Sequence, residues 1–229
     1  MVLWEGIERQ KRRKLKVYTW GISENRWPLR QAAGIWQNSG MDKKLFSEVL
    51  KTERLTLRGY REEDAAGVLK LANENHGLLI REFAQIAGLR TLAEAALFIS
   101  EKREQRIAAR TFCYGIWRIG AEDQIGQIQV KSVAWEIPAA ELGYFIIEAQ
   151  QGNGYATEAI RAILRLAFQE LGFERIFVRI LPTNRKSLAL ANKLGFQPEG
   201  VLRRAFRCGL GELHDVHCLS LIQGERFSI

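Results

Sequence analysis

Residues 141–164 read ELGYFIIEAQQGNGYATEAIRAIL, and their order leaves the chain few options. A strand-length apolar stretch, 141–149, runs without a spacer into two glycines, Gly152 and Gly154. The helix that follows carries Ala156, Ile160, Ile163, Leu164, Ala167, Phe168 and Leu171 on one face, and Gly172 stops it. The leading amides of a helix have no intrahelical acceptor, and the helix dipole places partial positive charge among them. The segment Gln151, Gly152, Asn153, Gly154, Tyr155, Ala156 is therefore a candidate nest for an anion, because glycine lets amides approach phosphate oxygens with no Cβ in the way. A P-loop would need GxxxxGK followed by Ser or Thr, and no Lys is near; a GxGxxG fingerprint fails because Thr157 stands where a third glycine is needed. The same glycines also suit a tight strand-to-helix turn that binds nothing.

The neighbouring segments alternate in type. RLTLRGY (54–60) turns Leu55 and Leu57 one way and Arg54, Thr56 and Arg58 the other, the period of a half-buried strand. A helix is expected over 62–75, and a second opens at Thr91, whose capping partner is Glu94, and runs to about residue 108. Strands over 111–119 and 124–134 form a hairpin about GAED. RIFVRIL (175–181) is a strand, Asn184 caps a helix that runs to Leu194 and stops at Gly195, and strands at 201–207 and 212–221 close the chain.

Composition bounds the class. With 229 residues, 47% of them hydrophobic and 26% charged, the chain suits a globular protein with one core. Residues 1–40 hold eight Lys or Arg against three acids, so five of the eight formal positive charges sit in that segment. Nucleic-acid binding is thus expected, if anywhere, of this basic arm and not of the rest. The arm also holds Trp4, Trp20, Trp27 and Trp36 without a pattern that says how they pack. Met1 and Met41 are the only methionines and regular punctuation begins at Met41, which leaves open a start there; the domain is expected over 41–229. Cys113, Cys208 and Cys218 are odd in number and lack metal-site spacing, so no disulfide framework and no metal are expected. With no apolar run long enough to span a bilayer and no signal-peptide core, a cytoplasmic location is expected, without membrane attachment.

QxxGxA at Gln151, Gly154 and Ala156, followed by TEAI, resembles the acetyl-CoA signature of GNAT-superfamily N-acetyltransferases. NRKSLALANKLGF (184–196) resembles that superfamily's second cofactor-facing helix, and TERLTLRGYREEDA (52–65) resembles the opening of its RimJ/RimL branch, which acts on ribosomal proteins. The resemblance covers about residues 50–222. It implies an α+β fold with a central, mostly antiparallel twisted sheet flanked by helices, whose fourth and fifth strands splay to admit acetyl-CoA. It also implies pantetheine contacts from the backbones of Ile146 and Ile147 and from Asn184 and Ser187, with the amides of Gln151 to Ala156 on the pyrophosphate.

The resemblance implies direct acetyl transfer to an amine, most readily a protein N-terminal α-amine. Small amines such as polyamines and antibiotics, and a non-catalytic acyl-CoA sensor, are the alternatives. The attacking amine must be neutral: near pH 7 an α-amine is so about a tenth of the time and a lysine about four parts in ten thousand. Glu141 is the expected base, and a solvated strand-end charge is its other reading. Many superfamily members carry a tyrosine four residues beyond the position of Ser187; here Ala191 stands there, leaving Ser187 as the proton relay to the thiolate. Acceptor contacts are expected from Phe83 in the 75–90 connection and from Trp135 and Glu136 in the 134–140 loop. A monomer or a homodimer is expected.

Overall fold

A computed structural model describes residues 47–225. The arm 1–40 and Met41 lie outside the described residues. Among the described residues the sheet has eight strands, in the order β1-β2-β3-β4-β5-β6-β8-β7. These are β1 (Val49–Lys51), β2 (Leu55–Arg58), β3 (Phe112–Arg118), β4 (Gln124–Ala134), β5 (Ala139–Ile146), β6 (Arg175–Ile180), β7 (Gln197–Arg207) and β8 (Leu213–Ile222). Every pairing is antiparallel except β5 with β6. This is the mixed α+β architecture the sequence led us to expect, with β1 as an unforeseen edge strand.

The helices are α1 (Ala65–Glu74), α2 (His76–Glu82), α3 (Ala84–Ala87), α4 (Leu92–Ile107), α5 (Tyr155–Arg165) and α6 (Arg185–Lys193). One face of the sheet packs on α1 to α4, where Val68, Leu79, Ile86 and Ile99 meet Trp117 and Phe145. The other receives α5, whose Ile160, Ile163 and Leu164 press on Leu57, Ile128 and Leu142, and Leu194 just beyond α6 joins that core. Leu55 and Leu57 are fully buried while Thr56 and Arg58 are half-exposed, so the alternation is read on the expected side. Thr91 and Glu94 form the expected capping box. The helix expected to reach Leu171 widens into a π-turn over Leu166–Glu170, closed by the Leu171 amide on Leu166 O at 3.1 Å, with Leu166, Ala167 and Phe168 all buried.

The segment 75–90 is not a plain connection. It folds into α2 and α3, and the amide of Gly209 in the β7–β8 hairpin donates to Ile80 O at 2.9 Å, fixing α2 in place. A Cβ on Gly209 would lie 2.3 Å from that oxygen, so glycine is what lets the hairpin seat there.

β5 and β6 pair only at Ala139 with Arg175, Ala140 with Ile176 and Glu141 with Phe177. Beyond these residues β5 keeps only β4 and β6 keeps only β8, and the sheet opens. On the β4 side, Gly126 faces Ile146 so closely that a Cβ would sit 2.3 Å from Phe145 O. Gly126→Ala is therefore expected to cost about 1–3 kcal/mol of stability, the range for overpacking a close contact, as chemical denaturation would record.

Candidate active site

The opened edge of β5 is where the main chain is free. Along an antiparallel pair, successive residues point their N–H and C=O to alternate sides. The Ile147 amide donates to Ile125 O at 2.9 Å, on the β4 side, so Ile146 and Tyr144 direct their main-chain groups into the gap left by β6. The two expected backbone contacts therefore part company. Ile146 offers its N–H to the opening, whereas the Ile147 N–H is already bonded within the sheet. The Ile146 carbonyl accepts from Gln151 Nε2 at 3.0 Å, and Gln151 Oε1 accepts from Lys186 Nζ at 2.9 Å, so Gln151 spans the mouth from β5 to α6.

Next to that span lies the glycine turn. Gly152 and Gly154 have φ of +81° and +79°, left-handed values that glycine adopts at no steric cost. Gly154 is the N-cap of α5, and the first helical bond runs from the Glu158 amide to Gly154 O at 3.1 Å. The amides of Tyr155, Ala156 and Thr157 fall ahead of it, where no intrahelical carbonyl reaches them. Arg54 braces this turn from β2's leading edge. Its Nη1 donates to Asn153 O at 3.0 Å, its Nη2 lies 2.7 Å from Glu158 Oε2, and its guanidinium lies 4.9 Å from the centre of the Tyr155 ring. Burial raises the Glu158 carboxyl, but bonds from Thr52 and from the Arg54 amide and guanidinium outweigh it and hold the carboxyl below its ordinary value. A cleft of about 800 Å³ borders the outer side of the turn, between Arg54, Arg161 and Lys193.

Across the opening stands α6. Asn184 Oδ1 accepts the Ser187 amide at 3.1 Å, the expected cap. The Ser187 hydroxyl lies beside the phenol of Tyr144, whose titration burial pushes up. Ala191 of α6 is buried, and the tyrosine near Ser187 comes from β5. Asn184 Nδ2 donates to Glu82 Oε1 at 2.8 Å, bringing in a carboxylate 102 positions away that sequence reading passed over. Burial raises the Glu82 carboxyl above its ordinary value, against the smaller opposing effect of the Asn184 bond.

The other expected residues are distributed differently. Glu141 is buried at 4% exposure and is no solvated strand end: Lys131 Nζ lies 3.3 Å from Oε1 and Arg179 Nη2 2.9 Å from Oε2. It sits about 17 Å of strand from Ile146 and ties β4, β5 and β6 where they are still paired. Phe83 is beside Glu82, its ring 4.8 Å from that of Phe145, so it does border the site. Trp135 and Glu136 lie past the opposite end of β5, over about 20 Å of strand from Ile146. Trp135 plugs the core there, bonded to Ala109 O at 3.0 Å and 5.4 Å from the Phe173 ring, and neither it nor Glu136 stands at the opening beyond Glu141.

No described cysteine is placed as a nucleophile. Cys113 is buried, and its thiol is pushed up to about 12 by desolvation. Among the described residues, Cys208, Glu212 and His214 bring possible ligand atoms within 4.8 Å of one another on the β7–β8 hairpin, and His214 Nε2 pairs with Glu212 at 3.2 Å.

Residues 54–197 match the family described as Acetyltransferase (GNAT) domain. This chain is a GNAT-family acetyltransferase. It is 28% identical over 175 residues to the uncharacterized N-acetyltransferase YoaA of Bacillus subtilis, covering 76% of this chain and 97% of that protein. It is 28% identical over 157 residues to the [ribosomal protein uS5]-alanine N-acetyltransferase of Escherichia coli, covering 66% and 79%. Among solved structures, RimL, the ribosomal L7/L12 α-N-protein acetyltransferase in complex with coenzyme A, superposes with a TM-score of 0.71 at 20% identity, covering 77% of this chain and 98% of that one. These relatives support a place in the RimJ/RimL branch. No helix among the described residues is long and apolar enough to cross a membrane.

The raised Glu82 carboxyl makes a stability prediction. A group with higher proton affinity in the folded state contributes stability below its unfolded pKa, and loses it as pH rises through the folded value. Glu82→Gln is therefore expected to have a higher unfolding midpoint than the wild type near neutral pH, with the gap closing at acid pH, as thermal melts across pH would record.

Proposed function

We propose that the chain transfers acetyl from acetyl-CoA to the α-amine of a protein N-terminus, and that the opening between β5 and β6 holds the donor. The observation that carries this reading is the convergence at one opening of a free main-chain edge at Ile146, a left-handed glycine turn and the Ser187–Tyr144 pair. The residues fit the donor: the amides of Gly152 to Ala156 would take the pyrophosphate, Ile146 the pantetheine, and Asn184 and Ser187 its far side. Acetyl-CoA, when bound, supplies an acetyl group activated as a thioester. The Ile146 N–H is available to the oxygen that gains negative charge during transfer. Ser187, beside Tyr144, relays a proton toward the departing sulfur.

The acceptor class is supported by the uS5-alanine acetyltransferase among the relatives and by chemistry, since an α-amine is neutral near pH 7 far more often than a lysine. Such an acceptor belongs to a cytoplasmic setting. Purified protein is expected to release CoA thiol with peptides bearing free ribosomal-protein N-termini faster than with Nα-blocked lysine peptides, polyamines or aminoglycosides. A preference for any of the latter would overturn the acceptor assignment. Gly154→Val, which forces a β-branched residue to +79° and toward Arg54 Nη2, is expected to abolish acetyl-CoA binding in calorimetry while circular dichroism stays native.

A further inference from the structure

We infer that Glu82 receives the proton the acceptor's ammonium must lose before attack, and that Glu141 does not. The inference rests on the proposed function and assigns its missing base.

Geometry separates the two carboxylates. Glu141 has each oxygen against a cation, Lys131 or Arg179, where the sheet is closed. Glu82 has one oxygen, Oε1, fixed by Asn184 Nδ2 at 2.8 Å, while Oε2 has no partner among the described residues. Asn184 is held in turn as the cap of α6, with its Oδ1 on the Ser187 amide, so one side chain connects the free carboxylate to the proton relay. The whole arrangement is stiff. Ile80, two residues before Glu82, is bonded by Gly209, and Phe83, the residue after it, packs on Phe145 of β5.

The surroundings suit a base. From β5 the phenol of Tyr144 lies within reach of the Glu82 charge, which raises its titration; from α6 the facing group is the uncharged Asn184. Among the described residues no cation acts on the Glu82 carboxyl, and burial shifts its proton affinity upward, toward the pH at which an amine must be unloaded. The steps balance. The ammonium gives one proton to Glu82 and becomes a neutral amine; its nitrogen lone pair forms the C–N bond as the C–S bond breaks. The second nitrogen proton leaves as the amide forms and passes through Tyr144 and Ser187 to the thiolate, which departs as the free thiol. Glu82 then returns its proton to solvent.

Glu82→Gln tests this cleanly, because Gln keeps an oxygen for Asn184 Nδ2 and so keeps the cap. Three quantities are measured on wild type, Glu82→Gln and Glu141→Gln: acetyl-CoA affinity by calorimetry, kcat/KM against pH with the peptide and amine panel, and carboxyl titration by NMR with ¹³C-labelled glutamate. Glu82→Gln is expected to bind acetyl-CoA like the wild type, to lose about a hundredfold or more in kcat/KM, and to lose the acidic limb of the profile. It should also lack one carboxyl signal that titrates above the ordinary glutamate range, whereas Glu141→Gln keeps both that signal and the acidic limb. Wild-type-like turnover and an unchanged acidic limb in Glu82→Gln would overturn the inference alone. Turnover of small amines in place of peptides would overturn the acceptor assignment and leave the Glu82 comparison to be read on those amines. Wild type that binds acetyl-CoA yet releases no thiol to any amine would overturn both.

Discussion

The parting of β5 from β6 after three paired residues is the constraint on which the site depends. A main-chain N–H that loses its sheet partner must find another acceptor or water. Here the loss falls at Tyr144 and Ile146, and the fold prevents its repair. β4 holds β5 from one side with the Ile147 and Phe145 positions, Gly126 keeps that contact close, and the Glu141 ion pairs lock β6 to β5 below the fork. The open edge is thus built by the same contacts that keep the rest of the sheet closed.

Two helices then complete the opening from either side. α5 begins at the end of β5 because two left-handed glycines turn the chain within a few residues, and Arg54 braces that turn through the Asn153 carbonyl. α6 begins at Asn184, which does two jobs with one side chain: its oxygen caps the helix and its nitrogen holds Glu82. The cap and the carboxylate are coupled, so the geometry of the proton acceptor is set by the same hydrogen bonds that start the helix. A partly buried carboxylate with one free oxygen costs stability, and its survival here is what a site that moves protons requires.

Features of the fold that are local were legible in the sequence. The strand periods at 54–60 and 175–181, the Thr91–Glu94 box, the Asn184 cap and the glycine turn each rest on residues within a few positions of one another, and each stands where it was read. What escaped reading is set by distant partners. α2 and α3 are too short to display a helical period and are held by α1 and by Gly209 from the hairpin. Glu82 is an ordinary surface-type residue in the sequence and becomes part of the site only through Asn184. Tyr144 looks like one more strand residue until Ser187 is brought against it. Glu141 and Trp135 carry suggestive side chains, but their partners, Lys131 and Arg179 for one and Ala109 and Phe173 for the other, place them in structural roles. Ile147 differs from Ile146 by a single step of the ladder, and only the register decides which amide faces the gap.

The central claim is that the unpaired N–H of Ile146 is the donor the thioester carrier takes up. Amide hydrogen exchange resolved by NMR reads it directly, with Ile147 as the internal control. Saturating acetyl-CoA should slow exchange at Ile146 strongly and leave Ile147, already bonded to Ile125 O, unchanged. Protection at Ile146 without ligand, or exchange there that acetyl-CoA does not alter, would contradict it.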